Sequence, residues 1–312
     1  MSHLLLLGVA STWLKPLWWV AGGMIIAALV LLGLRTLLQV VAPKIAAIGA
    51  TTTKEALSQP LFFVLLAIGV FGLIVFPFVP YNTLGEDIKM VKDEGLTLIM
   101  VLSILFALWT ASVSIADEIE GKTALTLLSK PVGRREFILG KFLGVLTPVA
   151  IMFVVLGAVF LASVSFKTVY EPRETGQPEA TVADCRQEMA QIAPGLALAF
   201  METVVLTAIS VAISTRLPMM PNLIICSSIY VLGHLVPILA KSAVGKIEFV
   251  RFVANLSAAV LPVLDHFNIS AGIAAGRSVP GEYLAWAGLY CVLYSAVAML
   301  VALLLFEDRD LA

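Results

Sequence analysis

The sequence predicts an all-α protein that crosses a membrane several times. Hydrophobic residues make up 60% of the chain and charged residues only 13%, whereas a soluble domain is about half apolar. The mean hydropathy is +1.00. Apolar runs of about 20 residues, the length that a helix needs to cross the hydrocarbon core, recur along the chain. These observations make the bilayer the solvent of most side chains.

Seven spans are predicted, one extra helix followed by a six-helix unit. Trp13, Trp18 and Trp19 form an interfacial belt at one end of the first span, and Arg35 lies at the other. Residues 40–59 are half polar and predict a helix on the membrane surface. The predicted domains are therefore 1–60 and 61–312. The spans are 17–34, 61–80, 96–116, 142–166, 194–215, 219–240 and 282–306.

Two further segments carry distinct expectations. Residues 167–193 form the longest polar stretch, with five acidic side chains, and predict an exposed loop with one short helix at most. Residues 252–264 are apolar but too short to cross the membrane. They predict either a re-entrant segment or a helix lying flat in the interface, and both keep their backbone groups hydrogen-bonded.

A polar island, residues 117–141, lies between the third and fourth spans. Nine of its 25 side chains are charged. Pro131 lacks an N–H and disfavours helix before it, and Gly133 frees the backbone to turn. The island therefore predicts a short helix–turn–helix held by two membrane helices.

The island resembles the cytoplasmic loop of the ABC-2 family of transporter permeases. The shared pattern is two acids before Gly and Thr, a Leu-rich turn, a Pro-Val-x-Arg segment, and an apolar run ending at Gly140-Lys141. Weaker echoes are Asp93-Glu94-Gly95-Leu96, as in permeases of the gliding-motility and nitrous-oxide-reductase-maturation type, and the C-terminal stretch 306–311. The resemblance covers about residues 50–312.

The resemblance implies that the island is a coupling helix that docks on a separate ATP-binding subunit. That subunit would bind ATP and magnesium, so this chain itself would need no cofactor. A second permease chain, identical or different, would complete the membrane part in the inner membrane, and the assembly would be an exporter. The implied docking residues are Glu118, Glu120, Gly121, Thr123, Leu127, Leu128, Pro131, Arg134 and Arg135.

The residues themselves predict neither catalysis nor metal binding. Gly121-Lys122-Thr123 is half of a phosphate-binding loop, but Ala116 stands where the motif needs glycine, and the intervening acids would repel phosphate. Cys185, Cys226 and Cys291 have no paired spacing. The net charge of −1 gives no basic field for nucleic acid.

The fifth span contains an intramembrane acid, Glu202, on a helix that also carries a stripe of hydroxyl side chains. The stripe comprises Thr203, Thr207, Ser210 and Ser214. It predicts either helix packing, with hydroxyls bonded to carbonyls one turn earlier, or the lining of a transport path or dimer seam. A buried carboxylate requires a partner. Glu202 and His234 lie at similar depths on antiparallel spans, which predicts a contact between them, as a polar clamp or a site for substrate or protons.

Orientation follows from the basic residues of the island, which favour the cytoplasmic side because short loops near span ends weigh most. The predicted function is the membrane subunit of an ATP-driven transporter. An ion-gradient-driven secondary transporter, with Glu202 as its proton site, and a non-transporting membrane assembly protein are the alternatives.

Overall fold

The structure is a computed structural model and describes residues 12–81, 86–118, 133–176, 178–241 and 261–307, with residues 248, 252 and 256. Every regular element in these ranges is helical, in agreement with the predicted all-α class. The main helices are α1 Leu17–Val41, α2 Pro43–Ser58, α3 Pro60–Val75, α4 Asp87–Ser112, α5 Arg134–Thr175, α6 Val182–Ser214, α7 Met219–Lys241, α8 Ser270–Ala274 and α9 Gly281–Glu307.

Among the described residues, six helical stretches are long and apolar enough to cross a membrane. They correspond to six of the seven predicted spans and confirm a polytopic membrane protein. The remaining prediction, 219–240, coincides with α7, in which a shorter apolar stretch, Met219–Leu235, is found. At 1.5 Å per residue, α5 is about 63 Å long and therefore extends beyond the ~30 Å hydrocarbon core.

Helices α4, α5 and α6 pack against one another and form the centre of the molecule. The remaining helices surround this centre: α9 packs on α6, α3 packs on α4 and α5, and α7 packs on α6 and α4. Helix α1 contacts mainly α2 and α5 and contains no buried residue. The core between the central helices is apolar, with Phe106, Leu156 and Phe160 fully buried.

The predicted exposed loop over 167–193 is wrong. Helix α5 continues to Thr175 and α6 begins at Val182, so the connection is short. Lys167 and Glu171 are the buried charged side chains of this stretch, and neighbours offset the cost of burying them. Lys167 lies 3.4 Å from Asp87, and the buried carboxylate of Glu171 accepts hydrogen bonds from the backbone N–H groups of Asp87 and Ile88 at 2.7 and 3.1 Å. The polar side chains of this stretch thus form a network that holds the beginning of α4.

The two other predicted segments have different outcomes. The helix expected over 40–59 is present as α2, and its face of Ala46, Gly49, Thr52 and Ala56 is buried. Most of the predicted re-entrant or interfacial segment, 252–264, lies outside the described residues. At its end, a 3₁₀ turn, Leu264–Phe267, leads into α8.

Candidate functional site

The structure describes the parts of the chain that flank residues 119–132. These flanking parts, residues 113–118 and 133–141, are called the base of the island. On one side, α4 continues as a π-helical turn, Val113–Asp117, that leads to Glu118. π-Helical turns are rare in proteins, and those that do occur often lie at functional sites. On the other side, α5 begins after Gly133, whose backbone N–H donates to the Glu136 carboxylate at 2.8 Å. This contact satisfies the backbone N–H that precedes the first turn of α5.

An ion pair joins the two sides of this base. Lys141 Nζ lies 2.5 Å from Glu118 Oε1, and the Lys141 side chain is only 3% exposed. The same ammonium lies 5.7 Å from the centre of the Phe137 ring. The ends of α4 and α5 are therefore fastened together where the chain enters and leaves 119–132. A displacement of those residues would act on both helices.

The C-terminal helix is attached to the same base. Arg134 donates hydrogen bonds to the backbone carbonyl oxygens of Phe306, at 3.4 Å, and Glu307. The rings of Phe137 and Phe306 stack with their centres 5.6 Å apart. A cation at the end of a helix also complements the partial negative charge of its last carbonyls. The base thus connects α4, α5 and α9.

Helix α2 crosses the first turns of α5 at very short range. A Cβ atom added at Gly140 would lie 2.7 Å from Ile48 Cβ, and one added at Gly144 would lie 2.6 Å from Thr52 Cβ. Both glycines are therefore required by this close approach. Thr53 Oγ1 donates to the Gly144 carbonyl oxygen at 3.0 Å. Such small-residue crossings are typical of helix pairs in membranes.

Of the docking residues implied by the resemblance, Glu118, Arg134 and Arg135 are described. Glu118 is engaged by Lys141 and Arg134 by the end of α9, whereas Arg135 is exposed. The first two side chains therefore hold the base together. The others, Glu120, Gly121, Thr123, Leu127, Leu128 and Pro131, lie outside the described residues.

Within the membrane-spanning part, Glu202 is fully buried, and its Oε1 lies 3.4 Å from His234 Nε2. This agrees with the contact expected from their depths. Helices α6 and α7 are thereby joined by an acid–base pair. The contact is not aligned as a hydrogen bond, and both carboxylate oxygens lack a hydrogen-bond partner among the described residues.

The second ring nitrogen of His234 contacts its own helix. Its Nδ1 is 3.0 Å from the carbonyl oxygen of Tyr230. A carbonyl only accepts hydrogen bonds, so Nδ1 is the donor in this contact. The contact orients the ring so that Nε2 faces the Glu202 carboxyl group.

The hydroxyl stripe of α6 is fully buried in this structure. Thr203 and Thr207 donate to the carbonyl oxygens of Ala199 and Thr203 at 2.9 and 2.6 Å, which supports the packing interpretation. Ser210 and Ser214 instead contact Asn222 of α7. The stripe thus faces neighbouring helices of the same chain.

Asn222 is the residue that sequence reasoning missed. Its side-chain nitrogen lies 2.6, 2.8 and 2.9 Å from the hydroxyls of Ser112, Ser210 and Ser214. The amide is fully buried and joins α4, α6 and α7. The sequence does contain a signal for this site: an amide side chain one turn inside an apolar helix. Such groups form hydrogen bonds between helices in membranes.

In the part of the chain that the structure describes, no cluster of three His, Cys, Asp or Glu residues could hold a metal ion. Among the residues that the structure describes, Glu202 and His234 therefore form a pair without a third such ligand.

Comparison with known families relates these features to a protein class. A family model described as "ABC-2 family transporter protein" matches residues 88–311, more than two thirds of the chain. The match includes both sides of the island base, the Glu202–His234 pair and Asn222, and it begins in α4, after α1–α3. A search of curated proteins found no match to the chain. The chain belongs to the ABC-2 family of transporter proteins.

Proposed function

We propose that this protein is the membrane subunit that couples ATP hydrolysis by a separate ATP-binding subunit to the export of a substrate. The observation that carries the proposal is the fastened base of the island, the Glu118–Lys141 pair at 2.5 Å. A docking element can transmit force only where it is attached to the helices that must move. The pair supplies that attachment between α4 and α5.

The mechanism begins with residues 119–132 seated on the ATP-binding subunit. When ATP closes that subunit, the island is displaced and moves the ends of α4 and α5 together. Arg134 and the Phe137–Phe306 stack pass the displacement to α9. Because α4, α5 and α6 share one core, a shift at the base is expected to change their packing within the membrane.

The proposed assembly places 119–132 at the cytoplasmic face of the inner membrane and pairs two permease chains. The basic residues of the island support this orientation. The family supports a partner that supplies the ATPase, since ABC-2 proteins are membrane components. The docking surface would comprise Arg135 with the remaining implied residues, Glu120, Gly121, Thr123, Leu127, Leu128 and Pro131.

Charge reversal tests the docking. Reversing Glu120→Lys and Arg135→Glu together should strongly reduce co-purification of the ATP-binding subunit, because both changes alter the proposed surface. Glu118 is left unchanged, since its reversal would also leave the buried Lys141 without its partner. Arg277→Glu, at an exposed position in the connection before α9, is the matched control. An undiminished complex in the double variant would contradict docking at this surface.

The fastened base has a test of its own. Lys141→Met keeps the apolar stem but removes the ammonium that holds Glu118. We expect the complex to assemble with normal yield, because the substitution leaves the docking surface unchanged. The ATPase rate in proteoliposomes should change, because the link between α4 and α5 is lost. An unchanged rate, with the variant correctly inserted, would show that the pair does not transmit movement.

A further inference from the structure

A cavity of about 740 Å³ lies between α1, α5 and α6. This volume falls within the ~300–1,000 Å³ of small-molecule sites. Its walls are mostly apolar, with Gly23 of α1 and Leu161 of α5 facing residues of α6. Helix α1, which forms one wall, precedes the residues that match the ABC-2 family. The cavity is thus a feature of this chain in addition to its family fold.

The cavity has a polar mouth and an aromatic floor. At the mouth, Trp19 of α1 lies with Arg186 and Gln187 of α6. At the floor, the rings of Phe153 and Phe200 meet edge to face with their centres 5.3 Å apart. Between Arg186 and Phe200, α6 rises about 21 Å, and half of a bilayer with its headgroup regions is about 20–22 Å. The cavity therefore has the depth of one leaflet with its headgroup.

Charge at the mouth favours an anionic ligand. Of the nearby acids, Glu188 is neutralised by its ion pair with Lys92. Asp184 keeps its charge, but it lies about 200° around α6 from Arg186 and accepts hydrogen bonds from the backbone and hydroxyl of Thr181, both at 2.8 Å. Arg186 is exposed, and no described carboxylate lies within 4 Å of it. A guanidinium suits a phosphate because it offers a planar fork of donors.

We propose that this cavity binds one anionic phospholipid of the surrounding membrane. The acyl chains would lie along α5 and α6 down to the Phe153–Phe200 floor, and the phosphate would contact Arg186 with Gln187 beside it. The lipid would enter from the leaflet at the Trp19 end and would fill the space between α1 and α6. The site is independent of which side of the membrane that leaflet faces.

Native mass spectrometry of the full chain tests the proposal. The protein is released from nanodiscs of equal dioleoyl-phosphatidylglycerol and dioleoyl-phosphatidylcholine, and the retained lipid is identified. We expect one retained lipid per chain, predominantly phosphatidylglycerol. Arg186→Gln should lower the phosphatidylglycerol-to-phosphatidylcholine ratio about fivefold, the change that one arginine near an anionic surface corresponds to. Arg277→Gln, at another exposed arginine, should leave the ratio unchanged.

Two neighbouring glycines of α1 provide a matched pair for the cavity itself. A side chain at either Gly22 or Gly23 meets no atom within 4 Å of its Cβ, but Gly23 lines the cavity and Gly22 does not. Gly23→Phe should displace the retained lipid, whereas Gly22→Phe should not. Equal retention in the two variants would overturn the site. A ratio unaffected by Arg186→Gln would overturn the anionic headgroup, and loss of a chain dimer in Gly23→Phe would assign the cavity to a second copy instead.

Discussion

At the scale of single residues, buried polar groups are the main exceptions to an apolar interior. Glu202 and Asn222 are both fully buried, and each joins α7 to α6. Such groups are costly in hydrocarbon unless they face a partner. The sequence allowed the Glu202–His234 contact to be predicted because depth follows from position along a helix. The Asn222 cluster could not be predicted in this way, since helix rotation decides which side chains meet.

The acid–base pair makes a specific prediction for stability. His234→Ala would leave the Glu202 carboxyl buried without its described partner, and we expect a loss of about 1–3 kcal/mol in the free energy of unfolding. Thermal unfolding in detergent measures this loss. In a double-mutant cycle with Glu202→Ala, the second change should cost much less once the first is present. Additive losses would contradict a direct interaction.

At the scale of helices, the lengths of α5 and α6 were the main difference from expectation. Hydropathy marks where a helix lies in lipid, but it does not mark where the helix ends. The stretch 167–193 remains largely helical because its charges pair with α4, as in the Lys167–Asp87 contact at 3.4 Å. These pairings join residues distant in sequence, so composition alone suggested a loop. The helix found as α2 within 40–59 was predictable because this stretch is half polar and amphipathic, with one face that can be buried.

The crossing of α2 and α5 can be tested at Gly144. Gly144→Val would place branched carbons where Thr52 Cβ already lies 2.6 Å from an added Cβ. We expect destabilisation of about 1–3 kcal/mol, as for overpacked cores. Gly22→Val is the control, because no atom lies within 4 Å of a Cβ at that position. The midpoint of thermal unfolding should fall for the first variant and stay near wild type for the second.

At the scale of the whole molecule, the proposed orientation places the α5–α6 connection outside the cytoplasm. Cys185 is buried and therefore unsuitable for labelling. Glu179 is 81% exposed at its side chain, so Glu179→Cys in a background without the native cysteines should react with a membrane-impermeant maleimide in intact spheroplasts. Arg135→Cys, within the island, should react only after lysis. The reverse pattern would invert the topology.

The measurement that tests the coupling account most directly is lysine cross-linking of the protein purified with its native partners. The account predicts cross-links from Lys122 and Lys130 of the island to a protein whose sequence carries the Walker A and Walker B motifs of an ATP-binding subunit. It predicts none from Lys89, which is 41% exposed near the beginning of α4, at the opposite end from the island base. Cross-links to that protein from Lys89, with none from Lys122 and Lys130, would contradict it.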